Sequence, residues 1–145
     1  MHTSYTKRPW TVAGAAVLLA SVLWAGTPSR AAGEEIGVEV TPVRVEQLLN
    51  VPGKTLTAVV VTYAPAGKSG AHHHAGSVFA YVLSGAIRSE NSATGPVKVY
   101  QAGESFFEPP GSTHLISENA STTEPASLLA VFVADDGARL TSFDQ

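Results

Sequence analysis

The sequence predicts an all-β domain, a small sandwich or barrel of about nine or ten short strands joined by tight turns. Three observations point there. The 145-residue chain carries 13 glycines and 9 prolines but only 14% charged residues, a balance that suits short strands and turns better than long solvated helices. Alternating or β-branched runs recur between turn signals spaced roughly 8–12 residues apart. Beyond residue 31 no stretch carries a sustained helical period.

The N-terminus is read separately. Lys7 and Arg8 precede an apolar segment from Trp10 to Ala25, and small residues follow at Gly26, Thr27, Ser29, Ala31, Ala32 and Gly33. A basic region, a short apolar run and a small-residue cleavage zone make a secretory signal. The run is shorter than the roughly 20 residues of a membrane span. Cleavage is expected after Ala31, within a window of residues 25–32; the alternative is an uncleaved N-terminal anchor. Residues 1–31 are therefore assigned to a signal peptide and 32–145 to one domain. The protein is expected to be exported, periplasmic or secreted, with no stable membrane span after cleavage.

The mature chain supplies its strands in order. Val38 to Glu46 alternates apolar with polar residues, and Pro42 confines that run to an edge strand or two short pieces. Val51-Pro52-Gly53-Lys54 is a turn. Thr55 to Tyr63 is a β-branched strand, broken by Pro65-Ala66-Gly67 and Ser69-Gly70. His72 to Leu83 is a strand pair or one bent strand ending at Gly85, and Ala86 to Ser89 begins the next. Asn91 to Pro96 is a polar loop before the alternating strand Val97 to Gln101. Ser105 to Glu108 is a strand stopped by Pro109-Pro110-Gly111, and His114 to Ser117 is another. Ser127 to Ala134 is strongly apolar, and the tail beyond Gly137 is weakly patterned. The free edge near Val38 makes a sheet-paired homodimer a natural partner arrangement.

Composition excludes several classes. With no cysteine there is no disulfide, zinc–thiolate site, thiol nucleophile or lipoprotein anchor. The net charge is −3 without a basic cluster, so no nucleic-acid groove is expected. A 44% hydrophobic content supports one core.

The chemistry gathers at the histidines. Strand residues two apart share a face, so His72 and His74 point one way and His73 the other. Val78, Ala80 and Val82 continue the inner face, with Phe79, Tyr81 and Leu83 opposite. Two imidazoles so placed can ligate one first-row ion, and His114 can supply the third nitrogen. The ligand set admits Fe, Mn, Ni, Zn or Cu. Val78, Tyr81, Arg88, Phe106 and Glu108 are candidates for the pocket or for supporting the ligands, against the plainer readings of core packing or solvated surface.

Two motifs carry a family resemblance. Gly67, His72, His74 and Gly85 follow the pattern G-x5-H-x-H-x3,4-E-x6-G, with one residue fewer after Gly67. Gly103, Pro109, Gly111 and His114 follow G-x5-P-x-G-x2-H-x3-N, with Asn119 one residue late. Over about residues 40–135 the chain resembles a small single-domain cupin, which implies a double-stranded β-helix, or jelly-roll barrel. The resemblance departs at Val78, where many cupins carry a glutamate ligand. It therefore implies a three-histidine site that keeps the ion's full +2 charge. Glu108 and Glu118 are the nearest carboxylates in sequence. Both are expected to be solvated or turn-stabilising, although Glu108 can stand behind the ligands near the barrel mouth.

Two function classes follow. One is an exported metal-dependent enzyme on a small oxygen-chelating substrate, a dioxygenase-like oxidoreductase or an isomerase. The other is a non-catalytic periplasmic module that binds a metal or small ligand. A structural barrel without metal is the third reading.

Overall fold

The computed structural model describes residues 35–143; the expected leader and cleavage site fall outside the described residues. No helix occurs among those residues. The strands are β1 (Ile36–Gln47), β2 (Lys54–Ser69), β3 (His72–His74), β4 (Ser77–Ser84), β5 (Ala86–Asn91), β6 (Gly95–Gln101), β7 (Ser105–Glu108), β8 (Thr113–Asn119), β9 (Ala126–Asp135) and β10 (Thr141–Phe143). All their pairings are antiparallel. The order runs β10-β3-β8-β2-β9-β4-β7, with β1 on β2 and with β5 joining β8 to β6. The sheet curls into a nearly closed barrel.

Alternation decides which side chains fill it. In β9, Ala126, Leu128, Ala130, Phe132 and Ala134 are buried, while the residues between them are only partly covered. In β4, Val78, Ala80 and Val82 are buried while Phe79, Tyr81 and Leu83 are exposed. Val59, Tyr63, Ile87 and Phe106 complete the core. Ile87 has no exposed surface, so truncation to alanine would cost about 2–5 kcal/mol through lost transfer energy and the cavity left behind.

Two glycines make the corners around β4. Gly85 adopts φ +68° between β4 and β5, and a Cβ there would lie 2.8 Å from the Pro125 carbonyl and the Ala126 side chain. Gly76, between β3 and β4, lies so close to the Val133 carbonyl that a side chain would collide with it. The turn between β3 and β4 is thereby packed tight against the end of β9.

Two elements differ from expectation, and a third decides between two expected readings. The Pro65-Ala66-Gly67 segment does not end β2. Ala66 takes a left-handed φ of 58°, its N–H donates to the Ser121 carbonyl at 2.9 Å, and the strand turns a corner to pair with β8 at Lys68 and Ser69. The segment Ile36–Gln47 is one edge strand, the first of its two expected readings, with a register shift between Pro42 and Arg44 and β2 as its only partner among the described residues. The tail forms β10, which pairs with the histidine strand β3 through Thr141↔His74 and Phe143↔His72.

Candidate metal centre

The site begins with a strand register. β3 and β8 pair so that His72 lies directly opposite His114. His74 shares the face of His72, two residues along the same strand. The ring centroids of His72 and His74 are 4.8 Å apart, and those of His72 and His114 are 5.0 Å apart. His72 is 6% and His114 3% exposed, and His74 is partly buried. His73 faces outward and is exposed.

Each ring has one nitrogen tied to the barrel wall. His72 Nδ1 donates to the Gly70 carbonyl at 2.7 Å. His74 Nδ1 donates to the Leu140 carbonyl at 3.1 Å and lies 3.1 Å from Thr141 Oγ1. His114 Nε2 lies 2.8 Å from the buried Ser89 Oγ. One nitrogen from each ring can be chosen so that all three lie within 4.8 Å of one another. Two nitrogens on one ion, at bonds of about 2.1 Å, lie at most about 4.2 Å apart, so small ring movements close the set. Burial pushes His72 down to about 4 and lowers His74 from its ordinary value. Both therefore keep a free lone pair at neutral pH, as ligation requires. The donor set fits a divalent transition ion.

The cluster opens on a cavity of about 80 Å³ walled largely by apolar side chains, among them Val59, Val78, Phe106, Leu128 and Phe132. Tyr63 also lines it. Burial pushes this phenol up to about 12, against an opposing effect of the Ser117 hydroxyl, which lies 2.7 Å from it. Among the described residues, none that lines it is lysine or arginine.

Glu108 corrects an expectation. It is only 4% exposed, so it is neither solvated nor a surface turn residue. Its Oε2 lies 3.2 Å from His114 Nδ1 and 3.9 Å from His74 Nε2. Asn91 Nδ2 donates to it at 3.3 Å and to Ser112 Oγ at 3.0 Å. Burial alone would raise the carboxyl, but contact with His114 and the nearby His74 and His72 hold it below the usual carboxylate range.

Of the other candidates, Val78 and Phe106 line the cavity. Tyr81 does not, because its odd place in β4 turns it outward, 39% exposed. Arg88 is also outside, paired with Glu118 on the barrel surface. Glu118 leaves the inner face because the β5–β8 register shifts between Glu90↔Ile116 and Asn91↔His114, which makes Leu115 an extra residue. That bulge places Ser117 and Asn119 inward instead, and it accounts for Asn119 standing one residue late in its motif. Ser89, Asn91 and Thr141 were not anticipated at the site. For Ser89 and Asn91 the signal was their inward alternation with Ile87 in β5; Thr141 had none.

The cupin-domain profile matches residues 59–132. No curated protein sequence matches the chain. Among solved structures it is similar to a cupin-like protein of Thermotoga maritima, at 17% identity over 74% of this chain and 75% of that one, with a TM-score of 0.58. A recombinant oxalate oxidase bound to glycolate is similar at 22% identity over 74% and 55%, with a TM-score of 0.56. The oxalate decarboxylase of Bacillus subtilis is similar at 26% identity over 61% and 23%, with a TM-score of 0.53. The chain thus spans about half of the oxidase and a quarter of the decarboxylase. With a domain match over more than half of its length, and both histidine motifs folded onto facing strands of one barrel, this chain belongs to the cupin family.

Proposed function

We propose that the chain is a metal-dependent enzyme that holds one divalent transition ion on His72, His74 and His114 and acts on a small oxygen-chelating molecule. One observation carries the reading: three wall-anchored imidazoles converge at an apolar cavity of about 80 Å³. That is room for roughly half a dozen waters, the scale of a small organic molecule. A bound ion would supply Lewis-acid polarisation of the chelating oxygens. The chain's own residues would do the rest. Gly70, Ser89 and the Leu140 carbonyl fix the rings. Phe106, Phe132 and Leu128 exclude water around the ligand, and Tyr63 keeps its proton at neutral pH.

The lining also supports one substrate class over another. With no lysine or arginine among the described residues on the walls, a dicarboxylate would have only the ion there to balance its charge. A neutral or singly charged chelator with a small apolar body, such as a simple β-diketone or catechol, matches the cavity better. The oxalate chemistry of two structural relatives supplies the contrasting substrate. The same reading takes the chain as exported, on the strength of its leader, and as a homodimer through the free edge of β1.

Elemental analysis of untagged protein from its native compartment should find about one transition ion per chain. Oxygen uptake or product formation should follow with the apolar chelators and not with oxalate. Tight ligand binding without turnover across the panel would make the protein a binding module instead. A metal-free native protein, unaffected by His72→Ala, would end the metal reading.

A further inference from the structure

We infer that Glu108 is a fourth metal ligand, supplying from β7 the carboxylate that position 78 on β4 lacks. This rests on the metal reading above. Val78 and Glu108 are direct partners in the β4–β7 register. Directly paired antiparallel residues project to the same face with Cβ atoms about 5 Å apart. A glutamate at 108 therefore reaches the same space as a glutamate at 78. Val78 is itself 1% exposed and lines the cavity, so that face is the interior.

The distances to two of the three rings, those of His114 and His74, agree. Two atoms bound to one ion at about 2.1 Å each lie between about 3.0 and 4.2 Å apart, for angles from 90° to 180°. Glu108 Oε2 falls inside this window from both His114 Nδ1, at 3.2 Å, and His74 Nε2, at 3.9 Å. His114 Nε2 is occupied by Ser89, so Nδ1 is the nitrogen left to face the carboxylate. In the metal-free protein a proton on Nδ1 bridges this contact. With an ion bound, His114 Nδ1 and Glu108 would both be free to coordinate it, and Nε2–H would donate to Ser89.

Charge supports the same assignment. Glu108 is buried, and among the described residues both its ion-pair partners are histidines, with no lysine or arginine. A buried carboxylate is costly without a compensating charge. A divalent ion held by three neutral imidazoles provides that charge, and the site becomes +1 in place of +2. Asn91, donating to Glu108 Oε2 and to Ser112, would hold the carboxylate in line. The lower charge favours singly charged or neutral chelators further.

The test is Co(II) binding by the full mature chain, read by competition with a chromophoric chelator and by the visible Co(II) spectrum. Wild type should bind one Co(II). Glu108→Gln should weaken binding by about 100-fold or more and change the Co(II) spectrum as a charged ligand is lost. An unchanged spectrum in Glu108→Gln overturns the assignment even if affinity falls, because a group that only orients His114 would behave that way. If Glu108→Gln does not fold, Glu108→Asp keeps the charge and withdraws it by one methylene. Ligation then predicts about tenfold weaker binding with an altered spectrum, and wild-type affinity with an unaltered spectrum overturns it. A wild-type protein that takes up no Co(II) fails the metal reading itself, which is distinct from wild type and variant binding alike.

Discussion

At the scale of single residues, the division of labour within each imidazole matters most. One nitrogen of His72, His74 and His114 meets the wall and the other faces the interior. A wall hydrogen bond fixes the tautomer and the ring plane before a metal arrives, which lowers the ordering cost of binding. His72→Ala, His74→Ala and His114→Ala are each expected to abolish metal retention through dialysis, measured by elemental analysis. His73→Ala should retain the full complement, since that side chain faces outward. Ser89→Ala tests the anchoring itself. It removes the hydroxyl 2.8 Å from His114 Nε2 and should weaken metal affinity by about 10–100-fold, with little change in stability. An affinity equal to wild type would show that packing alone positions His114.

At the scale of elements, β10 is the piece that couples the end of the described chain to the site. It pairs with β3, brings Thr141 Oγ1 and the Leu140 carbonyl to His74, and sets the Phe143 ring 5.5 Å from that of His72. Deleting residues from 139 onward should leave the barrel's circular dichroism intact. It should weaken metal binding by about tenfold or more, because His74 loses its wall contact. This element also marks the limit of what could be read from the sequence. β4 and β9 were legible because their alternation is strict and their inner residues are apolar. The His72–His74 pair was legible because parity on a strand depends on local geometry alone. β10 has three residues, all only partly buried, so it carries no pattern; its pairing is decided by where β3 lies. Of the two readings of Glu108, the one behind the ligands fits the pocket lining, and the surface-turn reading fails for a related reason. The burial of Glu108 depends on the long-range pairing of β4 with β7, whereas its neighbours Pro109, Pro110 and Gly111 announce a surface turn. Glu118 lies on the surface as expected, although simple parity from His114 points it inward; one extra residue at Leu115 reverses the parity beyond it.

At the scale of the whole molecule, the buried titratable groups set how stability depends on pH. His72 falls from 6.5 to about 4 on folding because burial disfavours its charged form, and His74 moves in the same direction. The unfolded chain then binds more protons than the folded one below about pH 6.5, so acid favours unfolding. The contribution is fully present above 6.5 and is lost as pH falls toward 4. Glu108, lowered from 4.5, has the same sign and extends the loss below pH 4.5. Tyr63 closes the other side. Its rise from 10.0 to about 12 means that the unfolded chain ionises first, so stability falls as pH climbs through that interval. The metal-free protein should therefore show a stability plateau between about pH 7 and pH 10, with a loss on the order of 2–3 kcal/mol by pH 4 from His72 alone. Urea unfolding in the presence of chelator across pH 4–11 measures it. The same series with Co(II) should lift the plateau by mass action on the folded state. It should also steepen the acid limb, because protons compete with the ion for the imidazoles. A metal-free profile that stays flat from pH 7 down to pH 4.5 would mean that the histidines are not held neutral by the barrel, and that the cavity around them is wetter than its apolar walls imply.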